Sequence, residues 1–112
     1  MSDSILNSIK KLLGISSDYT NFDQDIIIHI NTVFMTLAQL GIGVDKKFKI
    51  EDDTSTWADF LSEDDDLESI KTYIYLRVRL LFDPPTSSAI IESINNTIRE
   101  LEWRLNVQAE IN

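Results

Sequence analysis

Residues 62–85 read SEDDDLESIKTYIYLRVRLLFDPP, and this run decides the fold. Leu67, Ile70, Ile74, Val78 and Leu81 recur at three- and four-residue spacing, the period of one helix face. Tyr73, Leu76 and Leu80 broaden that stripe, so the helix is expected to bury more than one side. Ser62 with Asp65 three residues on has the spacing of a capping box, with Asp in place of Glu. Asp64, Asp65 and Asp66 then crowd a first turn, where the helix dipole favours anions; Arg77 and Arg79 sit late, where it favours cations. Pro84 and Pro85 stop the helix, because proline lacks an N–H and restricts the residue before it.

The same period extends in both directions. Downstream, Thr86 or Ser87 is placed to cap a helix with the stripe Ile91, Ile94, Ile98, Leu101 and Leu105. Glu100 and Arg104 form a favourable i,i+4 pair on it. Beyond Leu105 the period fades, and residues 106–112 read as a flexible tail. Upstream, Ile5, Leu6, Ile9, Leu12 and Leu13 predict a short helix over 3–13 with Gly14 as C-cap. A long helix is expected from Thr20 or Asn21, with stripe Ile26, Ile30, Val33, Leu37 and Leu40 widened by Ile27, Ile28 and Phe34; Gly41 ends it. Residues 41–55 are irregular. Lys47–Ile50 alternates polar and apolar like a short extended piece, and Thr54 or Ser55 would cap a brief helix holding Trp57, Phe60 and Leu61. The expectation is one all-α domain over 1–112: a small bundle of three long and two short helices with one irregular loop.

Composition narrows the function. The chain has 112 residues, 43% of them hydrophobic, enough for a modest core. Nineteen acidic residues against ten basic ones give a net charge of -9, which disfavours clustered phosphate binding and anionic membranes. Cysteine is absent and His29 is the only histidine, so disulfides, thiolate chemistry and a multi-histidine zinc site are excluded. Three glycines leave no phosphate-binding glycine loop. Lys10 and Lys11 interrupt the first apolar stretch, unlike a secretory signal, and no apolar run approaches the ~20 residues of a membrane span. No cofactor is implied.

Few residues remain that carry chemistry. His29 lacks an identifiable partner for general-base work, and a packing or surface role is the simpler reading. Glu51, Asp52 and Asp53, with Glu63, Asp64, Asp65 and Asp66, lack the glycine and terminal glutamate of a calcium loop. Solvated charge and capping explain them, or they face a partner or channel. Lys46, Lys47 and Lys49 around Phe48 are a weak nucleic-acid signal beside so many acids; a protein contact or solubility suits them better. Trp57 reads as core. Trp103, off the stripe of its helix, needs a second apolar surface, which another subunit can supply. The wide stripes point the same way, since surplus apolar face in a small domain is commonly covered by oligomerisation.

The block Tyr73–Pro85, YIYLRVRLLFDPP, resembles the small head-tail connector (head completion, or adaptor) proteins of long-tailed bacteriophages. FDQDI at 22–26 with HIN at 29–31, LAQLGIG at 37–43, TWADFL at 56–61 and EWRLNV at 102–107 agree in the same order. The resemblance implies a helical, non-enzymatic subunit of the virion neck, made in the host bacterial cytoplasm. It implies a homo-oligomer, commonly a dodecameric ring, docked on the portal protein after DNA packaging. The ring extends the channel for DNA passing without sequence recognition and presents a platform for the next neck or tail-completion protein. On this reading Tyr73, Tyr75, Arg77, Arg79 and Trp103 are expected at the subunit interface. Trp103, Arg104, Leu105, Asn106 and Val107 would face the portal. Glu63, Asp64, Asp65 and Asp66 would line the channel or its rim. The rival reading is a soluble acidic regulatory protein that binds a basic protein partner, for which the net charge is equally suited.

Overall fold

The computed structural model describes residues 3–111. Five helices follow in order: α1 (Ile5–Leu13), α2 (Asp23–Gln39), α3 (Trp57–Phe60), α4 (Leu67–Phe82) and α5 (Ser88–Ile111). No strand occurs among the described residues; the alternating Lys47–Ile50 stretch is loop, and the one isolated bridge pairs Ser4 with Thr56. The expected all-α bundle is therefore the observed class, with three long helices and two short ones.

Helix α4 lies between α2 and α5, which pack on it rather than on each other, and α1 fills the remaining side against α4 and α2. The direction of each helix follows from its ends. Phe82, at the C-terminal end of α4, packs edge-on against Phe22 at the start of α2, with ring centroids 5.3 Å apart. At the opposite end Ile42, Ile70, Leu105 and Ala109 line one cleft. So α2 and α5 run parallel and α4 runs against both. The result is a plate of 38 × 35 × 19 Å. Its core takes Ile5, Leu6 and Ile9 from α1, Ile26, Ile30, Val33 and Leu37 from α2, Ile70, Tyr73, Ile74 and Val78 from α4, and Ile94, Ile98, Leu101 and Leu105 from α5. Trp57 is fully buried and donates its indole N–H to the Ser8 hydroxyl.

Helix ends depart from the sequence reading in instructive ways. Gly14 closes α1 in the left-handed conformation, as expected. Neither Thr20 nor Asn21 caps α2. Its N-cap is Phe22, without a side-chain bond, because that ring is held by Tyr19 and Phe82. Thr56, not Thr54 or Ser55, caps α3, in a reciprocal capping box with Asp59. Ser62 does not open α4. The backbone N–H of Ser62 donates to Asp65, closing a separate turn, and Asp66 is the N-cap, accepting from the Ser69 N–H. Of the three aspartates, only Asp66 therefore touches the helix start. Leu81 is exposed, since the last turn of α4 passes beyond the end of the core. Ser87 caps α5 by accepting from the Ile90 N–H. That helix continues to Ile111, through the segment expected to be a flexible tail, because Ala109 prolongs the stripe of Leu101 and Leu105 onto Gly41. Asn112 lies outside the described residues.

Candidate functional site

The residues singled out from the sequence fall into three places. The first is the α4–α5 seam inside the subunit. Tyr73 is buried, and its hydroxyl donates to Glu102 Oε2 at 2.7 Å. Arg77 Nη1 donates to the same carboxylate oxygen at 3.0 Å and to the Tyr73 hydroxyl at 3.1 Å. Burial, and next the bond to Glu102, hold the Tyr73 phenol far above its ordinary range, so it stays a donor. This trio clamps α4 to α5. Tyr73 thus presents no surface to another subunit, and Arg77 is half-buried with its charge met. On the other flank of α4, Arg79 donates to the Tyr75 hydroxyl at 3.2 Å, and both side chains are half-buried. Glu102 is the member that sequence reading missed. It stands beside Trp103, but only the packing of α5 on α4 reveals its role.

The second place is the outer face of α5. Trp103 is 68% exposed. At 100° per residue it points directly away from the stripe Ile94, Ile98, Leu101 and Leu105. Core packing is thereby excluded for it within this subunit. Arg104 pairs with Glu100 at 2.8 Å in the open. Leu105 is buried against the core, whereas Asn106 and Val107 are half-buried. The Trp103–Val107 run is therefore not one surface; it straddles the inner and outer faces of α5.

The third place is the acidic turn. Glu63 and Asp64 are exposed, while Asp65 and Asp66 are engaged in the turn and the N-cap. Asp65 and Asp66 border the same cleft as Leu105, Gln108 and Ala109, so the turn and the C-terminal part of α5 share one end of the plate. Farther off, the Thr54 hydroxyl and then its backbone N–H bond to Asp52 and lower its pKa, which fits a loop carboxylate that stays charged. No cluster of three or more potential metal ligands occurs among the described residues. His29 is half-buried beside Phe82, at 6.5 Å between ring centroids, and makes no ion pair among the described residues. Lys46, Lys47 and Lys49 stand exposed around half-buried Phe48, which stacks on Phe60.

Two structural polar contacts were not anticipated. Lys10 is 1% exposed and pairs with Asp23 at 2.8 Å, while donating to the carbonyls of Ser17 and Tyr19. The Asn31 amide donates to the Ile50 carbonyl at 2.9 Å and accepts from the Ile50 N–H at 2.8 Å, doing for the loop what a neighbouring strand would do.

A family model described as phage connector protein matches residues 5–112. The chain belongs to that family. No curated protein and no solved structure matches the chain significantly. The family points to a structural protein of the phage neck, and this connector carries exposed apolar side chains on several of its helices. Within the described residues, no helix of the connector is long and apolar enough to cross a membrane.

Proposed function

We propose that this connector is a ring-forming adaptor of the neck: a homo-oligomer, dodecameric in the virion, that docks on the portal, prolongs the DNA channel and receives the next neck or tail-completion protein. The observation that carries this reading is the family match across residues 5–112. The surface agrees with it. Ile28, Met35, Val44 and Trp103 are each at least 60% exposed, and Ile28 and Met35 share one face of α2, apolar surface that assembly would cover. Net charge also suits a conduit, because a wall of like charge repels DNA phosphates within a Debye length of ~10 Å. The soluble acidic regulator explains the charge equally well, but not the connector-family membership.

Native mass spectrometry or mass photometry of the chain, alone and with the portal protein of the same phage, tests the proposal. A ring, or stoichiometric capture on the portal ring, is expected. Monomer throughout, with no portal binding, would transfer the assignment to the regulator.

A further inference from the structure

We propose that the seam between neighbouring copies is heterologous: the outer face of α5 of one subunit packs in parallel on the outer face of α2 of the next, with Trp103 as the knob. The proposal rests on the ring reading above and adds to it the two faces, their direction and the residues in contact.

Three observations converge. First, the outer face of α2 carries a hole of matching kind. Ile28, 60% exposed, and Met35, 68% exposed, stand at either end of an i, i+3, i+4, i+7 diamond completed by Asn31 and Thr32. Asn31 is turned to the Ile50 backbone and Thr32 bonds back to the Ile28 carbonyl, so the floor of the diamond offers no unmet polar demand. An indole seated there covers two exposed apolar side chains and is itself covered. Second, the layering sets direction. Because α2 and α5 run parallel on separate sides of α4, a copy placed beside α5 by a rotation about an axis along the helices brings its α2 alongside, again parallel. An up-down-up plate is thereby continued edge to edge, which a ring requires and a two-fold pair does not. Third, charge selects the same direction. Arg99 lies one turn before Trp103, about 6 Å along the axis, and its one polar side-chain partner among the described residues is Asn96, a neutral group. With Trp103 seated between Ile28 and Met35, a parallel α2 puts Asp25 at the Arg99 end. An antiparallel α2 instead carries Asp25 toward Glu110 and leaves Arg99 facing neutral Gln39.

The chain contains no cysteine, so introduced cysteines report contacts directly. In the parallel register Val107 of one copy lies near Met35 of the next, one turn beyond the knob. We expect the double variant Met35→Cys, Val107→Cys, oxidised on the portal ring, to give a ladder of covalent oligomers, and each single variant to give none. Covalent dimers from Val107→Cys alone would reveal an α5–α5 two-fold contact and overturn the seam. Rings that assemble on the portal yet never cross-link in the double variant would overturn the seam and leave the ring reading standing. Failure of the unmodified chain to form any ring would remove both. Independently, Asp25→Arg is expected to reduce assembly on the portal at least tenfold, and adding Arg99→Asp to restore it; a double variant no better than the single one rejects the charge pairing.

Discussion

A lysine among isoleucines keeps its charge only if that charge is answered. Lys10 shares the inner face of α1 with Ile5, Leu6 and Ile9, and Asp23 answers it from the first turn of α2. Removing one partner of a buried pair strands the other. Asp23→Ala is expected to lower stability by about 3 kcal/mol in urea unfolding. Lys10→Met combined with Asp23→Asn should recover much of that loss. Tyr73 behaves differently because its neutral form is the one held. Its pKa is raised on folding, so its contribution is intact below the ordinary phenol value near ~10 and is lost as pH rises beyond it. Tyr73→Phe should cost about 1 kcal/mol at pH 8 and should flatten the alkaline fall in stability, measured by denaturant titration from pH 8 to 11. The burial of Lys10 was not legible, because the spacing of Ile5, Leu6, Ile9, Leu12 and Leu13 leaves it at the edge of the apolar stripe. Nor was the identity of its partner, because a pairing across thirteen residues depends on where the 14–22 turn leads the chain.

Among the elements, periodicity served best where a helix is long. The stripes of α2, α4 and α5 were legible because burial on one face imposes the 3.6-residue period whatever lies opposite. Their starts were less so, since Ser, Thr, Asp and Asn were available at several successive positions and tertiary contacts chose among them. Phe22 took the α2 cap because its ring was anchored, and Asp65 was drawn into its own turn with Ser62. The loop after α2 was the least legible part. It is held by Asn31 and by aromatic packing of Phe48 on Phe34 and Phe60, none of which has a periodic signature. Gly43 belongs to that packing: its φ is +104°, and an added Cβ would lie 2.6 Å from Phe60 Cε1. Gly43→Ala is expected to cost about 2–3 kcal/mol in thermal unfolding. Gly14→Ala, left-handed but with open space around it, should cost only about 1–2 kcal/mol.

At the scale of the whole molecule, the expected surfaces separate by their freedom to act. Asp65 closes the turn at Ser62 and Asp66 caps α4, so a test of channel charge belongs on Glu63 and Asp64, which are exposed. The double variant Glu63→Lys, Asp64→Lys should fold normally and slow DNA release from assembled particles; unchanged release kinetics would place that turn away from the DNA. Deleting Val107–Asn112 removes the last turns of α5 and the Ala109 contact with Gly41. The shortened chain is expected to keep its helical circular dichroism and to bind the portal more weakly in a pull-down. A truncated chain that co-assembles normally would count against a portal role for this end. Trp103 was recognisable beforehand as off-stripe, but the α2 hole that matches it was not. The widened stripe expected for α2 includes Ile28, yet at 100° per residue that side chain lies opposite Ile26, Ile30, Val33 and Leu37, and it is exposed.

The opposed ends of the plate differ in kind. Around Phe82, the end formed by the close of α1 and the start of α2 carries partly exposed Leu12, Tyr19 and Phe22. The other end carries Glu63, Asp64 and Glu110. Copies related only by rotation about an axis along the helices keep every greasy end on one side and every acidic end on the other. Such an object has a heads and a tails. A partner that prefers grease and a partner that prefers acid would each find only one side to sit on, and a washer installed upside down would fit neither.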